Sequence, residues 1–391
     1  MAEPSSRDFR VPPVLYTGYG AIERLREVMK ALAVTRGVVV TDRVMGASSW
    51  MDRLRQLAQD AGAAITVLDE LASEPTVDDV NAALKCARDM DADVLIGFGG
   101  GSALDTAKCA AALVTNGGDI IDYEGYERFP RRGLPIVAIP TTAGTGSEVT
   151  RGAAITDSNR NVKMLLMSAW LVPTVAIVDP EPTLTMPAAV TASTGLDALT
   201  HAIESFVSRR RQPISDALAL DAMARIARHL PHVFESPDDR LGREQMCLGS
   251  LMAGMAFHNA SVALVHGMSR PIGAYFHVPH GLSNAMLLPT VMAFSVPGDP
   301  VRYATVARAI GAASAADPDE AAAWKGVEAV RLLCQQLEVP SPTAWGINPV
   351  VFRDAAPQMA RDAIASGSPG NNPRLATEEE ITALYGQMIA G

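Results

Sequence analysis

Short apolar, β-branched runs alternate with amphipathic stretches through the first half of the chain. The runs Val38–Thr41, Ile65–Leu68, Val94–Gly97, Pro135–Ile139 and Thr174–Val178 are four or five residues long. They end in loops rich in Gly and Pro, which predicts strands. Between them, Trp50–Ala61, Val77–Met90 and Ala103–Val114 read as helices. The alternation, from Val11 to about Asp179, predicts an α/β region with a mainly parallel sheet.

Past Asp179 the pattern changes. The segment DPEPTLTMP (179–187) holds three prolines in nine residues. Proline removes backbone donors and blocks helix continuation, so this segment predicts an extended linker. Beyond it, Ala188–Ser208, Ile214–Phe234, Asp239–Phe257, Ala260–Tyr275 and Val301–Ala312 read as helices, and no strand is predicted. The expected organisation is therefore an α/β domain over residues 1–187 and an all-helical domain over 188–391. No internal repeat or low-complexity tract interrupts it, and the alanine cluster near 312–323 is helix-forming composition.

Composition narrows the partners. With 48% hydrophobic and 19% charged residues over 391 positions, the chain can bury enough apolar surface to fold. A net charge of -10 repels phosphate backbones and anionic lipid, which predicts a small-molecule partner, no nucleic acid and no membrane. No apolar run approaches the roughly 18 residues of a membrane span. Met1–Arg10 is polar, so a cytoplasmic protein is expected. The cysteines at 86, 109, 247 and 334 form no C-x-x-C pair and suggest neither a disulfide framework nor a zinc-thiolate site.

Candidate chemistry lies in two places. After the run ending at Gly97 comes Gly99-Gly100-Gly101-Ser102, then the helical Ala103–Lys108. Glycines allow close backbone approach and a helix N-terminus offers unpaired N–H groups, which suits a pyrophosphate, although a flexible turn would read the same way. A second loop, Pro140–Ser147, packs four hydroxyls and two glycines into eight residues after the next strong strand. Such loops occupy the ligand-binding ends of open α/β sheets. Asp42 follows the strand Val38–Thr41, where a carboxylate could accept from an adenosine ribose or simply cap a helix.

The second place is the helical half. Asp197 and His201 are four apart and share one helical face. Alone they also fit an amphipathic helix turned to water, with Leu196, Leu199, Ile203 and Phe206 inward. His266 sits in a segment too apolar for a surface helix, and His280 in a loop fixed by Pro279 and Gly281. Each histidine taken singly reads as structural. Together, one carboxylate and three imidazoles form a set suited to Fe(II) or Zn(II) rather than Mg or Ca.

Ordered along the chain, these residues resemble the iron-dependent alcohol dehydrogenase family, in the larger group that holds glycerol dehydrogenases and dehydroquinate synthases. The matching stretches are GYGA at 18–21, PT at 75–76, GGGSALDTAK at 99–108, PTTAGTGSEVT at 140–150, GLDALTHAIE at 195–204, AGMAFHNASVALVHGMS at 253–269, VPHGLSNAMLLP at 278–289 and NPR at 372–374. The resemblance implies that Asp197, His201, His266 and His280 ligate a metal. It implies a nicotinamide cofactor across the cleft between two domains, with Gly99, Gly100, Gly101 and Ser102 at the pyrophosphate. Asp105 belongs to the same motif, Thr141, Thr142, Thr145 and Ser147 line the loop beside it, and Lys163 holds the family's cofactor-side lysine position. An acid at Asp42 implies NAD over NADP. The implied activity is metal-dependent hydride transfer between NAD and a small primary alcohol or aldehyde, in a homodimer. Phe257 is expected near the nicotinamide or substrate, or in the core.

The sequence departs from that pattern at one point. Many metal-using members carry a second histidine four residues after the third ligand, and here that position is Arg270. A guanidinium stays protonated and cannot act as a titrating relay. One turn beyond His266, it predicts preference for an anionic substrate, with contact to cofactor phosphate or solvent as the other reading. His277, three before His280, is a candidate substitute relay. Competing activities are a metal-independent reductase resembling maleylacetate reductases, and a lyase resembling dehydroquinate synthase that leaves no net NADH.

Overall fold

The expected strands assemble into one parallel sheet of six strands. The structure is a computed structural model and describes residues 7–71, 74–160 and 162–389. Met1–Ser6 of the polar N-terminus and the last two residues of the predicted helical domain lie outside the described residues. In chain order the strands are β1 (Val14–Thr17), β2 (Arg36–Val40), β3 (Ala64–Leu68), β4 (Val94–Gly99), β5 (Gly125–Tyr126), β6 (Ile136–Pro140), β7 (Gly152–Asp157), β8 (Val162–Met167) and β9 (Val175–Val178). The large sheet runs β1-β9-β6-β4-β2-β3, and every pairing in it is parallel. β4 and β6 are buried along their whole length, which explains why they read as unbroken apolar runs.

Four strands went unpredicted. β1 is a half-exposed edge strand of four residues, too short to announce itself. β7 and β8 pair antiparallel, and β5 adds to β8, in a separate small sheet. Burial alternates along β7, so its apolar signal is only half as dense as that of β4.

Neighbouring strands carry the candidate loops. β4 lies between β2 and β6, with Gly97 opposite Val40 and Gly99 opposite Pro140. The C-terminal ends of these three strands therefore place Asp42, the glycine loop and the threonine loop side by side. That is the edge at which parallel α/β sheets bind ligands.

The described chain divides into two compact units, Arg10–Thr185 and the part from Met186 onward together with Arg7, Asp8 and Phe9. The division falls two residues before the expected end of the first domain. Arg7 and Asp8 go with the helical unit, where Arg7 donates to Arg211 O at 2.8 Å and Gln212 donates to Asp8 O at 3.1 Å. The proline segment is not extended throughout, because Glu181–Thr185 closes into a 3-10 turn. Thr183 anchors it by donating to Pro180 O from its backbone at 3.0 Å and its hydroxyl at 2.6 Å.

In the helical unit the helices that matter are Ala188–Val207, Arg240–Ala260, Leu264–Phe276 and His280–Ser295. The predicted break between Phe257 and Ala260 moves to Ser261, which takes φ 72° and ends the preceding helix. His280, expected in a loop, is the first residue of its helix, with Pro279 at the N-cap. Every residue from Gly195 to Val207 is buried, so this helix has no water-facing stripe. Its polar side chains must then find partners inside the protein, because an unpaired buried polar group costs about 1–3 kcal/mol. Among the described residues no single helix is long and apolar enough to cross a membrane.

Candidate active site

In the α/β unit the two loops are built against each other. Gly100 caps the helix Gly101–Asn116, whose first turn points its N–H groups toward the strand ends. Thr141 N–H donates to Gly99 O at 3.0 Å. A Cβ on Gly101 would stand 3.0 Å from Thr145 Cγ2, a tight contact that glycine avoids where the threonine loop approaches. Thr142 lies beside Gly100, 3.7 Å from where its Cβ would be, an ordinary contact distance.

A buried lysine fastens the second loop. Lys108 is fully buried and donates to Ser147 O at 3.0 Å, Ser147 Oγ at 2.8 Å and Thr150 Oγ1 at 3.2 Å. Asp105 is 3.3 Å from the same ammonium, accepts from Ser147 Oγ at 2.5 Å and accepts from Ala154 N–H at 2.9 Å. Both Asp105 oxygens are thus engaged by the protein, and Asp105 and Ser147 shape the loop from behind. Ser102 sits in the first turn of the helix. Lys163 lies on β8 and pairs with Glu74. Asp42 is a helix cap, its Oδ1 accepting from Val44 N–H at 2.8 Å and Met45 N–H at 3.0 Å. Its other oxygen faces the glycine loop, 3.7 Å from where a Cβ on Gly99 would be.

In the helical unit four side chains from three helices converge. Asp197 and His201 come from Ala188–Val207, His266 from Leu264–Phe276, and His280 opens His280–Ser295. The Nε2 atoms of His201, His266 and His280 lie 3.8, 3.6 and 3.9 Å from the one oxygen Asp197 Oδ1. Side-chain exposure is 3% for Asp197, 6% for His201 and 4% for His266 but 29% for His280, so the set is reached from the side of His280. Donor atoms about 2.0–2.2 Å from one ion stand about 3.3–3.6 Å apart in a tetrahedral site, and the observed separations are within a few tenths of that. Asp197, His201 and His266 are buried with their ligand atoms within 4.8 Å of one another, and with the partly exposed His280 at their edge this carboxylate and imidazole set fits a borderline divalent metal.

The surrounding residues set the electrostatics. Burial alone would push the Asp197 carboxyl up, but the neighbouring His201, His280 and His266 outweigh it and hold Asp197 well below the usual carboxylate range. Burial likewise works against a charged His266, and hydrogen bonds to Asp197 and Glu204 reverse that and raise it. Asn284 Nδ2 donates to Asp197 Oδ1 at 2.7 Å and stands 3.1 and 3.3 Å from the Nε2 atoms of His266 and His280. Phe257 stacks on the His201 ring at 4.1 Å between centroids.

Arg270 lies one turn beyond His266 and donates to Ser368 Oγ at 2.9 Å. His277 is exposed and ends the helix Leu264–Phe276 in a left-handed conformation. Sequence reasoning passed over Lys108, Glu204 and Asn284. The signals were present: Lys108 stands in an otherwise apolar helical run, Glu204 lies one turn past His201, and Asn284 lies one turn past His280.

Comparison with known proteins covers both units. Residues 12–180 match the family described as iron-containing alcohol dehydrogenase, and residues 191–389 match the C-terminal part of the Fe-containing alcohol dehydrogenase family. Alcohol dehydrogenase 4 of Saccharomyces cerevisiae (strain YJM789) is 35% identical over 379 residues, covering 96% of this chain and 97% of its own. The crystal structure of a 1,3-propanediol oxidoreductase superposes with a TM-score of 0.95 at 34% identity, covering 98% of this chain and all of that one. A sulfoacetaldehyde reductase from Bifidobacterium kashiwanohense, solved in complex with NAD+, gives a TM-score of 0.87 at 28% identity and covers 99% of each chain.

Proposed function

The chain belongs to the iron-containing alcohol dehydrogenase family, and from that membership we propose that it moves a hydride between NAD and a small alcohol or aldehyde at Asp197, His201, His266 and His280. The observation that carries this reading is the convergence of three imidazole Nε2 atoms on one buried carboxylate oxygen. When bound, Fe(II) or Zn(II) supplies Lewis acidity that polarises a carbonyl or acidifies an alcohol, and the nicotinamide supplies or accepts the hydride. The chain's own residues do the rest. Asp197 stays ionised, His201 is held flat by Phe257, and the half-exposed His280 marks the open side of the set. In the α/β unit, Gly99–Ser102 offer N–H groups at a helix N-terminus to the pyrophosphate, and Thr141, Thr142 and Thr145 line the loop beside it. Oxidation of NADH by metal-reconstituted protein across a panel of aldehydes tests the reading. No net NADH consumption with any aldehyde would instead favour the lyase alternative.

The cofactor form follows from Asp42. Its Oδ2 faces the glycine loop at the end of the strand beside β4, where a carboxylate accepts from a ribose hydroxyl and repels a 2'-phosphate. The sulfoacetaldehyde reductase bound to NAD+ supports the same choice. We expect kcat/KM to favour NADH over NADPH by about 100-fold, the size of one lost ribose hydrogen bond plus charge repulsion. Asp42→Gly should narrow that gap at least tenfold. A wild-type preference for NADPH defeats the assignment.

The substrate preference follows from Arg270. A guanidinium one turn from a metal-ligating histidine, held by Ser368, presents a fixed cation beside the reacting centre. It favours an aldehyde or alcohol carrying a carboxylate, sulfonate or phosphonate. The sulfoacetaldehyde reductase resemblance supports this, and the 1,3-propanediol oxidoreductase resemblance points to neutral substrates instead. Arg270→Ala should lower kcat/KM for an anionic aldehyde about 10- to 100-fold, matching a charge-assisted hydrogen bond, and leave a neutral aldehyde within about threefold. Equal losses on both would remove the anion role.

A further inference from the structure

The helix that carries Asp197 and His201 has one more buried acid on the same face. Glu204 lies seven residues after Asp197 and three after His201, and it is 3% exposed. Its two oxygens serve two consecutive residues of another helix. Oε2 is 2.6 Å from His266 Nδ1, and Oε1 accepts from Val265 N–H at 2.6 Å. Val265 N–H belongs to the first turn of Leu264–Phe276, a turn that has no capping side chain of its own because Ala263 is the N-cap. A carboxylate there satisfies an orphan donor and meets the positive end of the helix dipole.

We propose that Glu204 is the positioning residue for the metal site: it fixes His266 with its proton on Nδ1, so that the Nε2 lone pair faces Asp197 Oδ1. The inference rests on the metal reading of the four ligands and extends it to a residue that touches no substrate or ion. Three features support it. The acceptor at Nδ1 is a carboxylate, which has no proton to give and selects the Nδ1–H tautomer. The second bond, to Val265 N–H, fixes the backbone that bears His266, so ring direction and helix position are set by one side chain. The partner is buried, so water does not compete for the imidazole proton. Histidines on metals are commonly oriented this way, and losing the partner weakens binding about 10- to 100-fold.

Glu204→Gln separates this role from simple filling of space. An amide has the same shape but one acceptor oxygen, so it can serve Val265 N–H or His266 Nδ1–H and not both. If its NH2 faces the ring, it draws the proton to Nε2, on the metal side. Zinc-loaded wild-type and Glu204→Gln proteins should be titrated with a competing chelator, and the imidazole nitrogens of wild type read by 15N–1H correlation. The expected results are 10- to 100-fold weaker zinc retention in Glu204→Gln and a proton on His266 Nδ1 in wild type. Zinc affinities within twofold of each other, or a wild-type His266 protonated on Nε2, overturn the proposal. If Glu204→Gln does not fold, the wild-type tautomer decides alone. Wild-type protein that retains neither zinc nor Fe(II) overturns the metal reading itself, and the positioning role with it.

Discussion

Asp197→Asn is expected to strip the protein of stoichiometric metal and to lower kcat/KM for aldehyde reduction by about 1,000-fold or more. Asp197 Oδ1 is the oxygen on which all three histidines converge, at 3.6–3.9 Å, and Asp197 is the one carboxylate in the proposed ligand set. An amide keeps the volume and the place in the helix but is a poor ligand for a borderline divalent ion. Lewis-acid polarisation is worth several kcal/mol, and each 1.36 kcal/mol is tenfold in rate, which sets the expected loss. Metal analysis of the purified variant beside steady-state kinetics, with and without added Fe(II) or Zn(II), checks it. Activity within tenfold of wild type in metal-free Asp197→Asn, or wild-type activity that survives chelation, would move the protein to the metal-independent, maleylacetate reductase-like alternative.

Gly281→Ala should produce a comparable defect from a position that ligates nothing. A Cβ there would stand 2.4 Å from Ser193 O and 3.2 Å from Asp197 Cβ. The first of these is a helical backbone atom and cannot swing aside like a side chain. The helix His280–Ser295 must retreat by about 1 Å to restore ordinary contact, and both His280 and Asn284 ride on it. Overpacking of this kind costs about 1–3 kcal/mol of stability. A 1 Å error in the placement of a catalytic constellation costs about 100-fold in rate. We therefore expect about 100-fold lower kcat/KM, at least tenfold weaker retention of metal against a chelator, and a lowered Tm. Retention and kcat/KM within twofold of wild type would show that the close approach at Gly281 is not what brings His280 to Asp197.

Much of this site was legible because the residues that carry it are short-range patterns. A glycine run between a strand and a helix suggests a candidate anion site within eight residues. An Asp and a His four apart announce a shared helical face. Other features were not legible, for identifiable reasons. Asp197 and His201 fitted a water-facing stripe equally well until the burial of Gly195–Val207 removed that option. Whether a polar helical face meets water or protein depends on which other helices pack against it, beginning here with the next helix, Pro213–Glu235. Glu204 was visible in the sequence only as the last letter of a motif, since its two partners are 61 and 62 residues further on. Lys108 reads as an oddity in an alanine-rich helix until Ser147 and Thr150 appear against it. The antiparallel β7–β8 pair was missed because its strands bury alternate residues and so look like loop.

The sequence by itself determined the two kinds of architecture and singled out the two candidate loops and the four metal-ligand candidates, because each depends on local periodicity, local backbone freedom or an ordered set of motifs. Only the tertiary structure decided that three imidazole nitrogens meet one carboxylate oxygen, that Asp42 caps a helix with one oxygen and faces the glycine loop with the other, that Glu204 backs His266 at Nδ1, and that Asn284 donates to Asp197 Oδ1. Those are contacts between segments far apart in the chain. Packing fixes them, through the space a glycine leaves at position 281 and the obligation of every buried polar group to find a partner.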